Sequence, residues 1–319
     1  MRIAHISDLH FTTFFKKSNL GSINYMLEYA LKHKADHIVI TGDLTDNADK
    51  NDFLILRDLF ENLGILSSEK LSLVIGNHDI FGGVQTAEDI FSFPEKCRSV
   101  NFNEKVQDFY SYFSETFDNC VYFSEDTIFP FAKILDGVLI AGMNSIAEYS
   151  KAKNIFASNG AVSIEQFDAT LKILENFNKD VHSKIVLIHH HFSKIKSKNS
   201  GSFGGFWQNI ERQTMKLRKK KRLLNLFNQY DINLVLHGHY HETKEYHRNG
   251  IRFLNAGGSF KNQYQNEFFI NFIDVEPSGI KIETHNLHSP KDGFEMGSIL
   301  SGGNNSLERK FALSEIIDN

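Results

Sequence analysis

Six short apolar runs rich in Val, Ile and Leu recur along the chain, each five or six residues long. Runs of this length and composition are typical of strands that are buried on both faces of a sheet. They predict strands at residues 2–6, 37–41, 71–75, 138–143, 184–188 and 233–237.

Apolar stripes with helical spacing lie between these runs. Two of them consist of Ile23, Met26, Leu27, Ala30 and Leu31, and of Phe53, Leu56, Leu59, Phe60 and Leu63, the second being followed by Gly64. Apolar residues three and four positions apart predict amphipathic helices. A third helix is predicted from Ser163, which has capping-box spacing to Gln166. The alternation of strands and helices predicts a layered α/β domain, whose functional loops follow the carboxyl ends of the strands.

Three segments depart from this alternation. Residues 81–131 are crowded with Phe and Tyr, which could stack on bases, but such aromatics more often pack as an extra helix or cover over the core. Residues 192–215 form a loop rich in Lys, Ser and Gly, whose length suits the rim of a site. We expect one domain over residues 1–288, with 81–131 and 192–215 as cap or rim insertions. Residues 289–319 form a C-terminal tail, a linker followed by a helix or a disordered end.

Composition narrows the class of protein. The 35 Lys and Arg residues against 39 Asp and Glu give a net charge of −4, unlike the uniformly positive surface of a nucleic-acid coat protein. Cys97 and Cys120 are the two cysteines, and they form neither a disulfide framework nor a CxxC pair. The chain has no signal-peptide pattern and no apolar run of about 18 residues, so we expect a cytoplasmic location and no membrane partner.

Chemistry-bearing residues directly follow five of the predicted strands. They are Asp8 and His10, then Gly42, Asp43, Leu44, Thr45 and Asp46, then Gly76, Asn77, His78 and Asp79, then His189, His190 and His191, and finally Gly238, His239, Tyr240 and His241. Each cluster alone is a weak signal, because such residues also occur in turns and caps. Their joint occurrence at strand ends predicts that all five clusters meet at one sheet edge.

The donor types in these clusters indicate a transition-metal site. Carboxylates and imidazoles together suit Mn, Fe, Co, Ni or Zn, whereas Ca or Mg would take almost entirely oxygen ligands. Two ions need about four protein ligands each, and a carboxylate can bridge ions about 3.5–4 Å apart. The available residues permit two ions if Asp43 is shared. Such a centre keeps a net positive charge that attracts phosphate.

The order of the motifs, DxH, GDxxD, GNHD, a His run and GHxH, resembles the calcineurin-like metallophosphoesterase superfamily, and especially its class III cyclic-nucleotide phosphodiesterase branch. The likeness spans at least residues 1–259 and includes Asn144, Ser145 and the helix starting near Ser163. The resemblance implies the metallo-dependent phosphatase fold, a four-layer αββα sandwich of two mixed sheets flanked by helices.

The resemblance also implies roles for individual residues. One metal ion would be held by Asp8, His10, Asp43 and His241, and the other by Asp43, Asn77, His190 and His239. Mn, Fe or Zn would be the bound ions. Within the His run we choose His190 over His189 as the ligand; the family usually has His-His-Pro where this chain has His190, His191 and Phe192.

His78 would lie between the metals and the substrate and protonate the departing oxygen. Asp46 would hydrogen-bond this catalytic histidine and favour its protonated state, with Asp79 as the rival for that role.

These roles describe a metal-dependent phosphoric ester hydrolase. Our leading hypothesis is a phosphodiesterase that acts on a small nucleotide or related diester, through in-line attack of a hydroxide that bridges the metals. A phosphomonoesterase or a nuclease on the same core is the alternative. A scaffold that binds a protein partner is less favoured, because every expected position is filled. The basic run at 216–222 would suit nucleic acid, but the acidic balance favours a solvated helix face.

Overall fold

The computed structural model describes residues 1–14, 19–84, 89–123, 127–193, 215–257 and 267–288. The predicted tail at 289–319 and residues 194–214 of the predicted rim loop lie outside these ranges. No helix within the ranges combines the length and the apolarity that crossing a membrane requires.

Strands and helices alternate through most of the described chain. The strands are β1 (Arg2–Ile6), β2 (His37–Ile40), β3 (Leu71–Leu73), β4 (Val121–Tyr122), β5 (Phe131–Leu135), β6 (Val138–Met143), β7 (Ser183–Ile188), β8 (Leu234–His237), β9 (Lys244–Arg248), β10 (Ile251–Asn255), β11 (Glu267–Glu276) and β12 (Gly279–His288). The helices are α1 (Leu20–Lys32), α2 (Lys50–Asn62), α3 (His78–Phe81), α4 (Asp89–Ser99), α5 (Phe102–Tyr112), α6 (Ile164–Asn176) and α7 (Lys220–Gln229), and a 3₁₀ turn covers Ser114–Phe117.

The described strands form two mixed sheets. A five-stranded sheet has the order β12-β11-β1-β2-β3, in which β1, β2 and β3 run parallel. A seven-stranded sheet has the order β4-β5-β6-β7-β8-β10-β9, in which β6, β7, β8 and β10 run parallel. Two mixed sheets accompanied by helices confirm the predicted fold class.

The main core lies between the two sheets. In β7, Ile185 and Leu187 belong to the same buried cluster as Ile3 of the five-stranded sheet, whereas Val186 and Ile188 pack with α6 and α7. This division follows from the strand geometry, since successive side chains point to opposite faces. The carboxyl ends of β7 and β8 therefore reach the same region as those of β1, β2 and β3.

All six predicted strands form, and the predictions for residues 2–6 and 138–143 match β1 and β6 at both ends. Both apolar stripes also form helices, α1 and α2, and α6 begins after its predicted cap, where Ser163 Oγ accepts from the Gln166 N–H at 3.1 Å. The strands β4, β5 and β9 to β12 were not predicted. Strand β12 is mostly exposed and polar and carries little apolar signal, whereas β11 is largely buried and was missed despite its apolar residues.

Described rings of the aromatic segment pack against α2. Phe109 and Phe113 are buried, and their rings lie 6.1 Å from that of Phe53 in α2. The Tyr112 ring stacks on Phe53 at 5.2 Å. These rings pack α5 against α2 and contribute apolar burial.

Candidate metal centre

All five predicted clusters converge, but not at one sheet edge. Strands β1, β2 and β3 of the five-stranded sheet carry the first three clusters, and β7 and β8 of the seven-stranded sheet carry the last two. The prediction of a single sheet edge was wrong because the sheet to which a strand belongs is set by long-range pairing. The site lies where the carboxyl ends of two facing sheets meet.

Left-handed backbone positions bring the side chains into the site. Asp8, His10, Asp43 and His239 have φ values of 55°, 43°, 51° and 66°. Each such conformation costs on the order of 1 kcal/mol for a residue with a Cβ atom. Hydrogen bonds between loops offset this strain, since the N–H groups of Asp8 and His10 donate to the carbonyls of Gly42 and Asp43, both at 3.0 Å. A cluster of residues with strained, left-handed backbone conformations is typical of a functional site.

One group of donors consists of Asp8, His10 and His241. The Nε2 atoms of His10 and His241 lie 3.2 Å apart, and His241 Nε2 lies 3.3 Å from Asp8 Oδ1. Potential ligand atoms of these three residues all fall within 4.8 Å of one another. The structure thus brings together three of the four predicted ligands of the first ion.

A second group consists of Asp43, His189 and His239, with Asn77 beside it. His189 Nε2 lies 3.0 Å from His239 Nδ1, 3.2 Å from Asn77 Oδ1 and 3.4 Å from Asp43 Oδ2. His239 Nε2 is buried without a hydrogen-bond partner among the described residues. Four potential donors therefore face one another here.

Asp43 belongs to the second group and lies beside the first. Its Oδ2 atom lies 3.8 Å from His10 Nε2 and 3.4 Å from His189 Nε2, and its side chain is 1% exposed. Its Oδ1 atom accepts the His78 N–H at 2.8 Å, which fixes the carboxylate plane. The carboxylate of Asp43 thus lies between the two groups of candidate ligands.

His190, the residue chosen from the sequence, does not join either group. Its Nδ1 lies 2.8 Å from Ser145 Oγ and its Nε2 lies 3.2 Å from the Ser158 carbonyl. Because a carbonyl only accepts, Nε2 carries the proton and both ring nitrogens are engaged. The structure brings His189, the alternative, to Asp43 and Asn77 instead.

The alternation of β7 is a sequence signal that distinguishes the two histidines. Ile185 and Leu187 face the five-stranded sheet, and His189 continues this odd-numbered series. His190 continues the series of Val186 and Ile188, which face the helices. The period of two residues places the two histidines on opposite faces of β7, and the burial of Ile185 and Leu187 with the five-stranded sheet shows that His189 is the one that points between the sheets.

Acceptors behind the imidazoles fix their orientation. His189 Nδ1 donates to the Thr41 carbonyl at 2.8 Å, and His10 Nδ1 donates to Asp46 Oδ1 at 3.2 Å. Each hydrogen bond leaves the Nε2 atom of the same ring pointing toward the other candidate metal ligands. Such outer partners orient metal-binding histidines and raise their basicity. The sequence contained no direct signal for the Thr41 carbonyl.

His78 and Asp46 form a pair beside the donor groups. His78 Nδ1 lies 3.1 Å from both the carbonyl and the Oδ1 atom of Asp46. The side chain of His78 is 17% exposed, so solvent and ligands can reach it. The predicted contact between Asp46 and the imidazole is therefore present.

Asp79, the rival, supports the loops instead. It is 1% exposed, and its two carboxylate oxygens accept the N–H groups of Thr45 and Gly76, each at 2.9 Å. Burial and the neighbouring Asp43 raise the pKa of Asp79 to about 6. Asp79 thus joins the loop after β2 to the loop after β3.

We expect Asp79→Asn to lower the free energy of unfolding by about 1–3 kcal/mol, because an amide can accept from only one of the two buried N–H groups. Urea unfolding of the metal-free protein measures this change. The exposed Asp180 provides the control, and Asp180→Asn should leave the midpoint unchanged. Equal midpoints for both variants would contradict the loop-joining role.

Charge pairing dominates the titration of the centre. Burial alone would raise the pKa of Asp43, but neighbouring histidines, His189 first, hold it well below its usual value. Burial would lower the pKa of His189, but Asp43 reverses this and raises it to about 9. For Asp46, burial is outweighed by hydrogen bonds from His10 and His78, which keep its pKa low. A cation that binds His189 near neutral pH must therefore displace a proton.

The donor groups fit divalent transition ions. Each combines a carboxylate oxygen with two imidazoles, which suits Mn, Fe or Zn better than Ca or Mg. Without a cation, the close contacts between imidazole nitrogens, and between these nitrogens and the carboxylates, require a proton shared by each pair of atoms. The residues present therefore fit metal ions.

The fold and the candidate donor set agree with a comparison against known protein families. The family model of the calcineurin-like phosphoesterases matches residues 1–243, and the chain belongs to this family. The predicted superfamily is confirmed. Among curated proteins, no match is found.

Two solved structures share this fold at low sequence identity, and a third matches with a lower TM-score. A dimetal phosphatase from Danio rerio is 11% identical with a TM-score of 0.53, and the match covers 91% of this chain and 99% of that one. A purple acid phosphatase from yellow lupin is 14% identical with a TM-score of 0.50, over 89% of this chain and 51% of that one. A Staphylococcus aureus protein crystallised with alpha-ketoglutarate is 15% identical with a TM-score of 0.45, over 92% and 55%. The chain thus spans about half the length of the lupin and staphylococcal proteins.

Proposed function

We propose that the protein is a dinuclear metal-dependent phosphodiesterase whose substrate is a small nucleotide or related phosphodiester. The observation that carries the dinuclear site is the position of Asp43 Oδ2, 3.8 Å from His10 Nε2 and 3.4 Å from His189 Nε2. One carboxylate between two donor groups suits a pair of cations that share a ligand.

The proposed ligand sets differ from the sequence-based assignment at one residue. Asp8, His10, Asp43 and His241 would hold the first ion, and Asp43, Asn77, His189 and His239 the second. His189 replaces His190 because its Nε2 faces Asp43, whereas both ring nitrogens of His190 are engaged elsewhere.

Bound ions would supply Lewis acidity toward the phosphoryl oxygens and a water that ionises near neutral pH. The chain supplies the proton for the leaving group. The Nδ1–H of His78 donates to Asp46, so Nε2 is the atom that would face the departing oxygen. The Asp46 carboxylate, whose pKa lies well below its usual value, stays charged and stabilises the imidazolium form of His78.

The preference for a diester is supported by the motif resemblance to the class III branch. The alkoxide that leaves a diester or a monoester needs a proton from a group such as His78, so the role of His78 is the same for both. The assays described next identify the substrate class.

Hydrolysis assays on chelated and reconstituted protein test this function. We expect the chelated protein to be inactive and addition of Mn, Fe or Zn to restore turnover of bis(p-nitrophenyl) phosphate. The diester should be hydrolysed faster than p-nitrophenyl phosphate, and a panel of cyclic nucleotides and dinucleotides would then identify the natural class. Faster monoester turnover would contradict the diester preference, and activity that survives chelation would contradict the metal centre.

A pair of alanine variants tests the choice of histidine. We expect His189→Ala to weaken one of two bound ions by at least about 100-fold, since losing a ligand costs more than losing an outer partner. His190→Ala should weaken binding by about tenfold or less, because its ring contacts Ser145 and Ser158. Metal analysis and calorimetric titration measure both. The reverse order would restore the sequence-based assignment.

A further inference from the structure

Three side chains hold the backbone of Phe192. Its N–H donates to the Tyr246 hydroxyl at 3.2 Å, and its carbonyl accepts from Lys220 Nζ at 3.1 Å and from the Arg248 guanidinium. Tyr246 and Arg248 are two positions apart in β9, so they lie on the same face of that strand. Phe192 lies three residues after His189, so these contacts anchor the end of the loop that carries it.

The Tyr246 hydroxyl makes a second contact, on the other loop of the seven-stranded sheet. It lies 2.8 Å from His237 Nε2. His237 is the last residue of β8, is fully buried, and stands two positions before His239. One phenolic oxygen therefore touches the loop after β7 and the end of β8.

The direction of these bonds follows from the number of protons. A tyrosine hydroxyl has one proton to donate, and its oxygen can also accept. His237 Nδ1 lies 3.3 Å from the Gly238 carbonyl, which can only accept, so Nδ1 carries the ring proton. His237 Nε2 is then an acceptor, and the Tyr246 hydroxyl donates its proton to it. The chain of bonds runs from one loop to the other through a single hydroxyl.

We propose that Tyr246 is a positioning residue for the second cation site, because its hydroxyl couples the loop that bears His189 to the strand end that bears His239. His189 Nε2 and His239 Nδ1 lie 3.0 Å apart. Both loops must keep their positions to maintain this distance. The inference rests on the proposed function, in which these histidines bind the same ion.

The surroundings of Tyr246 allow a clean substitution. Its ring stacks on Phe253 with 5.1 Å between centroids and an interplanar angle of 7°, and the Phe192 ring lies 4.9 Å from the same Phe253. Tyr246→Phe keeps this stacking and removes only the oxygen. Tyr230→Phe is the matched control, because the Tyr230 hydroxyl lies 3.3 Å from Glu175 Oε1, away from both loops.

Hydrogen exchange and metal titration on the full chain test the coupling. In metal-free protein, we expect Tyr246→Phe to speed amide exchange about tenfold or more both at Phe192 and at Gly238 and His239. On titration with Mn or Zn, one of the two ions should bind about 10–100-fold more weakly, as is typical when an outer partner is lost, while the other binds as before. Tyr230→Phe should change neither measurement.

Two results would overturn the proposal. The first is unchanged exchange at His239 with faster exchange at Phe192 alone, which would mean that the hydroxyl only satisfies one amide. The second is binding of both ions with wild-type affinity. A wild-type chain that binds no ion would contradict the proposed function, whereas exchange in the metal-free protein still decides the coupling.

Discussion

Asp43→Asn is expected to reduce kcat by about 10³-fold or more and to leave at most one tightly bound ion per chain. The amide can still accept the His78 N–H, but it lacks the charge that now faces both His10 and His189. Stabilisation of phosphoryl charge by paired cations is worth several kcal/mol, and each 1.36 kcal/mol corresponds to a factor of ten in rate. Metal analysis of the purified variant and turnover of a phosphodiester reporter measure the two effects.

The exposed Asp180 is again the control, and Asp180→Asn should retain both ions and full turnover. Circular dichroism of the metal-free proteins separates loss of metal from loss of fold. Two bound ions and wild-type turnover in Asp43→Asn would rule out Asp43 as a shared ligand of two ions.

His78→Ala is expected to cost about 10²- to 10⁴-fold in kcat, the range that general acid catalysis supplies, while both ions remain bound. The imidazole lies beside the donor groups and is held by the carbonyl and carboxylate of Asp46. Reporters with leaving groups of different basicity make the measurement specific. The loss should be smaller for a nitrophenolate, which departs without a proton, than for an alkoxide.

Asp46→Asn provides a second measurement of the same pair. It removes the charge that stabilises protonated His78, so the decline of kcat on the alkaline side should begin at a lower pH. Since Asp46 also accepts from His10, metal content is measured in parallel.

For His78→Ala, turnover of an alkoxide diester equal to that of the wild type would contradict a role for His78 in the reaction.

Much of the fold follows from local patterns. The apolar run at 2–6 and the stripe that includes Ile23 and Met26 correspond to β1 and α1, because periodicity records which face of an element is buried. Strand β12 escaped detection because it is exposed over most of its length, so burial left little trace in its sequence.

The candidate site also contains residues that local sequence patterns reveal and residues that they do not reveal. Asp8, Asp43 and His239 are recognisable because each follows an apolar strand within a short polar motif, and the structure brings them together. The loop support from Asp79 and the clamp from Tyr246 are not recognisable, because both depend on contacts between segments that are distant in sequence.

The amino-acid sequence by itself determined the kinds of donor, the strand ends that carry them and the family to which the chain belongs, since these depend on residue type and short spacing. Only the tertiary structure decided that the donors come from two sheets rather than one edge, that His189 rather than His190 faces Asp43, and that Asp79 supports loops. The reason is physical. Strand pairing and the direction of a side chain at a strand end are set by packing between segments far apart in the chain, and no local pattern records which partner a segment meets.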